Sequence, residues 1–450
     1  MVVKVEFVSG ISGSGKTSRL LEEYRNALTQ FQTQRQFGKT LWLTPSAQSR
    51  RQVLQLLTSK NAPVCFAPMV LTFEQLADRI LRESHQDVKP VSETQRRQIL
   101  RTILNRLVKT KRISYYSSIA QTGGFLDLVL SFISSLKRSE TWPEDFYKAI
   151  ETRTKTSKDE ELAIIYKEYQ EFLLKHRLFD FEGRFWYARD ALKIEKVTFL
   201  SKMEFVVVDG FTDFTTTQLE ILASIFRTAK TILISKTGDD DNIDSEERSE
   251  LFEKSELAYA AVKKLCASHP NVLLTETHLQ RSLLTPALGQ LAKSLFANPR
   301  CVIQEKNAKG IRVISAGNEA SEIKEIANRV KKLLLDGVST SEIVVCRRSL
   351  DQDGAIIRRT FSQAGIPFVC SSEMVLSQTA IVKFIANLLS LERENWPFTK
   401  LFSTLRSPYF RPKWSELLDE PMLDFLSKLL RQQKISSGRV AVLKCVQQYE

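Results

Sequence analysis

The apolar positions of this chain change period several times, and each change marks a different kind of element. Residues 3–8, VKVEFV, are a short apolar run that stops at a glycine-rich turn, which predicts a buried parallel strand. TSRLLEEYRNAL, residues 17–28, then carries helical spacing. In KTLWLTPSAQSRRQVLQLL, residues 39–57, a strand ends at Thr44-Pro45-Ser46 and a helix follows, with Arg50 and Arg51 near its start. Strand, helix, strand, helix predicts a parallel α/β sheet.

The alternation stops near Leu71, and to Leu200 the pattern is almost wholly helical. Ser92, with Gln95 three residues on, forms a capping box at the head of one helix. Its apolar face is Ile99, Ile103, Leu104 and Leu107; Arg96, Arg101, Arg106, Lys109, Lys111 and Arg112 cover much of the rest. FLDLVLSFISSLKR and DEELAIIYKEYQEFLLKHR are further amphipathic helices. Strand and helix resume over residues 203–226 and 230–237. A second parallel sheet is expected to open with IRVISAG (311–317), EIVVCRR (342–348) and IPFVC (366–370). Beyond Ser377 the pattern is helical to Glu450.

The expected organisation is a first α/β domain from residues 1–72 and 201–300, split by a helical insertion at 73–200. The start of a second domain follows at 301–376, with its own helical insertion, incomplete, at 377–450. The second sheet has too few strands to close, so the chain is expected to be the front part of a longer protein.

Hydrophobic residues make up 43% and charged residues 26% of the 450, the balance of a soluble globular chain. The net charge of +13 favours a polyanionic partner, most often nucleic acid, although charge alone leaves a basic but inert surface open. Six scattered cysteines without a C-x-x-C pair and four dispersed histidines point to neither a metal centre nor a disulfide framework. They fit a reducing, cytoplasmic setting. No apolar run reaches the roughly 20 residues of a membrane span, so no membrane partner is expected.

Gly10 to Thr17, GISGSGKT, matches G-x-x-x-x-G-K-[ST] between a strand and a helix. In such a loop the backbone N–H groups around Ser12, Gly13, Ser14 and Gly15 converge on phosphates, Lys16 reaches the outer phosphates and the Thr17 hydroxyl ligates Mg²⁺. The second half of the site is an acid at the end of a neighbouring apolar strand, and FVVVDG supplies Asp209 as the Mg²⁺ partner. The expected ligands are ATP and Mg²⁺.

A phosphate loop and acidic strand separated by nearly two hundred mostly helical residues resemble superfamily 1 helicases of the UvrD/RecB type. That resemblance implies a RecA-like P-loop domain split by a helical subdomain that touches DNA. TLWLTPSAQSRRQVLQLL resembles the motif in which Thr44 and Ser46 touch the DNA backbone, with Arg50 and Arg51 beside them. VVVDGFTDFTTTQLEIL resembles the acidic motif through Asp209, Phe211, Asp213 and Gln218. LQRSLLTPALGQLAKSLFANP places Arg281 at the position that senses the γ-phosphate. IIRRTFSQAGIPF and LFSTLRSPYF resemble second-domain text.

The departure is Gly210, where active members carry the Glu that activates the attacking water. The loop TGDDDNID also lacks the family's sensor glutamine. An intact phosphate loop, Asp-Gly-Phe and a loose sensor together resemble the AddB/RexB family, the non-motor component of a bacterial ATP-dependent helicase–nuclease. That resemblance implies a motor partner of the AddA/RexA type and a nuclease domain at the far C-terminus, outside this segment. It implies binding of duplex ends or single strands for recombinational repair, with weak or absent ATP hydrolysis. An active helicase and a P-loop kinase unrelated to DNA are the alternatives.

Overall fold

The computed structural model describes residues 2–58, 68–85, 87–152, 156–194, 197–238, 249–269, 271–280, 286–296, 309–350, 353–371, 376–413 and 419–448. The chain forms two units, Met1–Ile311 and Arg312–Glu450.

The first unit opens with the expected alternation: β1 (Val3–Gly10), α1 (Lys16–Thr33), β2 (Thr40–Thr44), α2 (Ala47–Leu57), β3 (Val70–Thr72) and α3 (Phe73–Glu83). Next come the short β4 (Lys89–Pro90), α4 (Glu93–Lys109), α5 (Gly123–Arg138), α6 (Pro143–Glu151), α7 (Ser157–Lys175), the short β5 (Leu178–Phe179) and α8 (Phe181–Lys193). The chain then returns through α9 (Thr198–Ser201), β6 (Phe205–Val208), α10 (Thr216–Phe226), β7 (Thr231–Thr237), α11 (Ser249–Ala267), β8 (Val272–His278) and α12 (Pro286–Ser294).

Six of these strands make one sheet in the order β3-β2-β6-β7-β1-β8, with every pair parallel. One face buries Val5, Phe7, Leu43, Val208 and Ile232 under α10, α11, α3 and α8. The other buries Val8, Trp42, Val207 and Leu233 against Leu20 and Tyr24 of α1 and Val53 of α2. Burial on both faces explains why these strands read as apolar runs rather than clean alternations.

The order corrects one expectation. Asp209 does not follow a strand adjacent to β1, because β7 pairs between β1 and β6. The acid meets the phosphate-loop motif through Thr17, at the start of α1.

The helices between β3 and β6 divide their packing. Leu100, Leu104 and Leu107 of α4, Leu126 and Ile133 of α5, and Ile165, Tyr169 and Leu173 of α7 form a separate core. By contrast, Ala77 and Ile80 of α3, Ala188 and Ala191 of α8, and Phe199 of α9 join the core of the sheet.

In the second unit the helices are α13 (Glu319–Leu335), α14 (Gly354–Gln363), α15 (Ala380–Arg393), α16 (Phe398–Leu405), α17 (Glu420–Gln432) and α18 (Arg439–Gln447). Among the described residues of this unit no strand occurs, so the expected second sheet is not found there. Val313 and Val369, read as strand residues, are 90% and 99% exposed. Apolar patterning makes a strand only when neighbouring backbone supplies its ladder, and among the described residues none does.

Candidate nucleotide site and its surroundings

Most helices of the first unit begin with a side chain that satisfies their free N–H groups. Ser46, Thr72, Ser92, Thr122, Thr156, Asp180 and Thr215 each accept a backbone N–H at the head of their helices. α1 begins after Gly15 with no such cap. Its first N–H groups and the positive end of its dipole are therefore left to an anion. Ser14 Oγ, in the same loop, is buried without a hydrogen-bond partner. At Gly10 a β-carbon would come within 2.6 Å of both the Leu279 carbonyl oxygen and Ser14 Oγ, so only glycine fits where the loop leaves β1. Ser12 and Gly13 lie exposed on its crown.

Lys16 folds back over this loop, its Nζ donating to the carbonyl oxygens of Gly10 (2.5 Å) and Ile11 (2.8 Å). Burial lowers its pKa below the ordinary lysine value, and the Asp209 carboxylate opposes the shift. Thr17 Oγ1 donates to Asp209 Oδ2 at 3.0 Å, joining the two motifs across 192 residues of sequence. Burial raises the pKa of Asp209, while hydrogen bonds from Ser235 and Thr17 and the charge of Lys16 pull the other way. A hydroxyl and a carboxylate converging beside a lysine form a hard-oxygen donor set suited to Mg²⁺. Uncapped α1, the orphaned Ser14 hydroxyl and this donor pair all fit a magnesium–nucleotide.

Ser235, on β7, escaped the sequence reading. Its Oγ accepts the Gly210 N–H at 2.9 Å, and its hydroxyl favours the ionised form of Asp209. The available signal was the hydroxyl that ends the apolar stretch of TILISKT. Gly210 has φ +81°, the left-handed region that glycine tolerates. Asp213 is exposed on the following loop. The Gln218 side chain accepts the Thr215 N–H at 3.0 Å, so it caps α10. Arg281 lies outside the described residues, as does most of the TGDDDNID loop.

The residues expected to touch DNA are placed unequally. Thr44 is buried, and its Oγ1 donates to the Ser46 carbonyl at 3.3 Å. Ser46 Oγ accepts the Ser49 N–H at 3.1 Å, capping α2. Arg50 Nε donates to the Val70 carbonyl at 2.7 Å and ties α2 to β3. Arg51 stays exposed. Beside this edge, Pro45, Phe73, Phe211 and Gln218 help line a hollow of about 180 Å³.

The basic face expected on α4 is partly spent inside the fold. Arg96 is buried and donates to Tyr169 Oη (3.2 Å), Ser134 Oγ (3.0 Å) and Glu93 (2.9 Å). Arg106 and Arg112 both pair with Glu168. Trp186 is buried against Trp142, with ring centroids 4.3 Å apart.

A family model described as "ADDB, N-terminal" matches residues 7–291, which include both halves of this site. The chain belongs to that family. Among curated relatives, the B-type subunit of the ATP-dependent helicase/deoxyribonuclease of Acetivibrio thermocellus is 26% identical over 416 residues, covering 90% of this chain and 35% of the relative. The proteins of the same name from Caldanaerobacter subterraneus subsp. tengcongensis (24% over 422 residues) and Listeria monocytogenes (22% over 414 residues) have the same coverage. This AddB-family chain thus spans about a third of the length of the curated relatives it matches. No helix among the described residues is long and apolar enough to cross a membrane.

Proposed function

We propose that this chain is a nucleotide-binding, DNA-binding part of the AddB-type component of a helicase–nuclease complex, and that its own ATP hydrolysis is weak or absent. Its sheet and phosphate loop would make up a RecA-like module, interrupted by a helical subdomain. The complex would process double-strand DNA ends for recombinational repair in the cytoplasm, beside a motor subunit of the AddA/RexA type. A nuclease domain would lie outside this segment. The names of the curated relatives support the complex, and the net charge of +13 supports DNA.

The observation that carries the ATP reading is the contact between Thr17 and Asp209 beside Gly210. The loop from Gly10 to Thr17 would hold the triphosphate, with Lys16 and Arg281 at its outer end. Thr17 and Asp209 would hold Mg²⁺, which supplies charge neutralisation. Beside Asp209 the backbone offers no carboxylate to orient water, so the site grips without cleaving.

The test is nucleotide binding and phosphate release by the full-length protein, with Lys16→Ala as control. The proposal expects ATP binding that Lys16→Ala weakens by about 10- to 100-fold, from the loss of charge-assisted contacts. Phosphate release should stay at background with and without DNA. Robust DNA-stimulated turnover abolished by Lys16→Ala would instead identify an active helicase. DNA binding without salt dependence would remove the electrostatic DNA reading.

A further inference from the structure

Asp209 sits at the end of β6, one strand removed from β1, and the strand between them is β7. A carboxylate at a strand end has free rotation about its side-chain bonds unless something fixes it. Here the fixing group comes from β7. Ser235 is buried. It pairs with Val8 of β1 on one side, and on the other its strand runs beside β6 up to the pairing of Val208 with Ile234. Its hydroxyl serves as a bridge between two consecutive groups of the acidic turn: it accepts the Gly210 N–H at 2.9 Å, and its proton favours the ionised form of the Asp209 carboxylate. One hydroxyl accepts and donates at once, so both bonds can form together.

Two consequences follow from that bridge. The Asp209 carboxylate is left with Oδ2 facing Thr17 Oγ1 at 3.0 Å. The 209–210 peptide is held with Gly210 at φ +81°. The same bridge therefore aims the acid and sets the turn where a water-activating side chain would otherwise start.

We infer that Ser235 is the positioning residue of the metal half of this site, orienting Asp209 toward the ion that Thr17 shares and locking the turn at Gly210. This rests on the magnesium–nucleotide reading above. Ser235 touches neither nucleotide nor metal in this scheme. It acts through Asp209, as outer-shell partners of metal ligands do.

The experiment measures the affinity of a fluorescent, slowly hydrolysed ATP analogue for the full-length protein, with Mg²⁺ and with EDTA. In wild type Mg²⁺ tightens binding. Ser235→Ala should cut that tightening by about 10-fold, in keeping with outer-shell losses at metal sites. The EDTA affinity should change by less than about 2-fold, and Ser235→Thr, which keeps the hydroxyl, should restore the Mg²⁺ effect. Amide hydrogen exchange of Gly210 gives a readout that needs no ligand: protected in wild type, it should exchange about 10-fold faster or more in Ser235→Ala, as a lost hydrogen bond of ordinary strength implies.

An unchanged Mg²⁺ effect in Ser235→Ala overturns the inference. So does an equal loss with Mg²⁺ and EDTA, which would mark general damage. Unchanged Gly210 exchange overturns it as well. Absence of nucleotide binding by wild type is a different failure: it defeats the nucleotide reading itself, and the positioning role falls with it.

Discussion

Gly210 and Pro45 face each other at the ends of β6 and β2: a β-carbon built on Gly210 would lie 3.5 Å from Pro45 Cδ. The missing glutamate is thus more than a side chain lost from an otherwise ready position. The backbone is left-handed there, and the direction a side chain would take leads toward the proline. Gly210→Glu is expected to lower stability by about 1–2 kcal/mol from left-handed strain, with no gain in ATP hydrolysis. Phosphate release and chemical denaturation check the two halves separately. Turnover appearing in the variant would show that the turn reshapes freely.

Lys137 and Asp180 form a deeply enclosed ion pair in the helical region, at 2.6 Å with side chains 1% and 0% exposed. The Lys137 ammonium also lies 5.1 Å from the Trp186 ring. Asp180 accepts the Gly183 N–H at 2.9 Å and the Tyr169 hydroxyl at 3.3 Å, so it caps α8 while pairing with α5. Lys137→Met leaves a buried carboxylate without its cation and is expected to cost about 3–5 kcal/mol. Adding Asp180→Asn should recover part of that loss, because the two changes share one interaction. Denaturant titration, with hydrogen exchange across α5 and α8, measures both.

Strand, loop and helix were legible at the N-terminus because the glycine loop interrupts an apolar run abruptly. The capping box at Ser92 marked a helix start for the same local reason. What sequence could not show is long-range. The placement of β7 between the two motif strands depends on strand order, which local spacing does not encode. Ser235 gained its role only through that order. Lys137 and Arg96 look like ordinary solvated charges of helical text, yet both are buried by partners 43 and 38 residues away. The second sheet was misread because its apolar stretches have the composition of strands but no ladder among the described residues.

Glu161 on α7 holds the turn that follows α4. Its carboxylate accepts the N–H groups of Ser114 (2.6 Å), Tyr115 (2.7 Å) and Tyr116 (3.0 Å). Burial by itself would raise its pKa, but these donors together bring it below the ordinary glutamate value. A depressed carboxylate stabilises the fold fully above the unfolded value of about 4.3 and loses that contribution as pH falls through the lower folded value. Amide exchange at Ser114–Tyr116 should therefore accelerate below about pH 4 relative to neighbouring turns. Glu161→Gln should already show fast exchange at neutral pH, with a stability loss of about 1–3 kcal/mol and a flatter acid limb.

The arginines near the sheet edge and on α4 make a sharper test of DNA contact than net charge does. Arg51 is exposed without an ion-pair partner among the described residues, whereas Arg106 and Arg112 share Glu168. A phosphate contact releases counterions, so removing one lowers the slope of log affinity against log salt by about 0.7–0.9. Arg51→Ala in the full-length protein is expected to weaken single-strand binding and reduce the slope by about that amount. Arg106→Ala should lower the slope less than Arg51→Ala does, because Glu168 offsets part of the charge that Arg106 and Arg112 carry. Arg50→Ala should weaken binding together with thermal stability, since its guanidinium holds the Val70 carbonyl. Fluorescence anisotropy over graded salt reads all three, and equal slopes for wild type and Arg51→Ala would place the DNA path elsewhere.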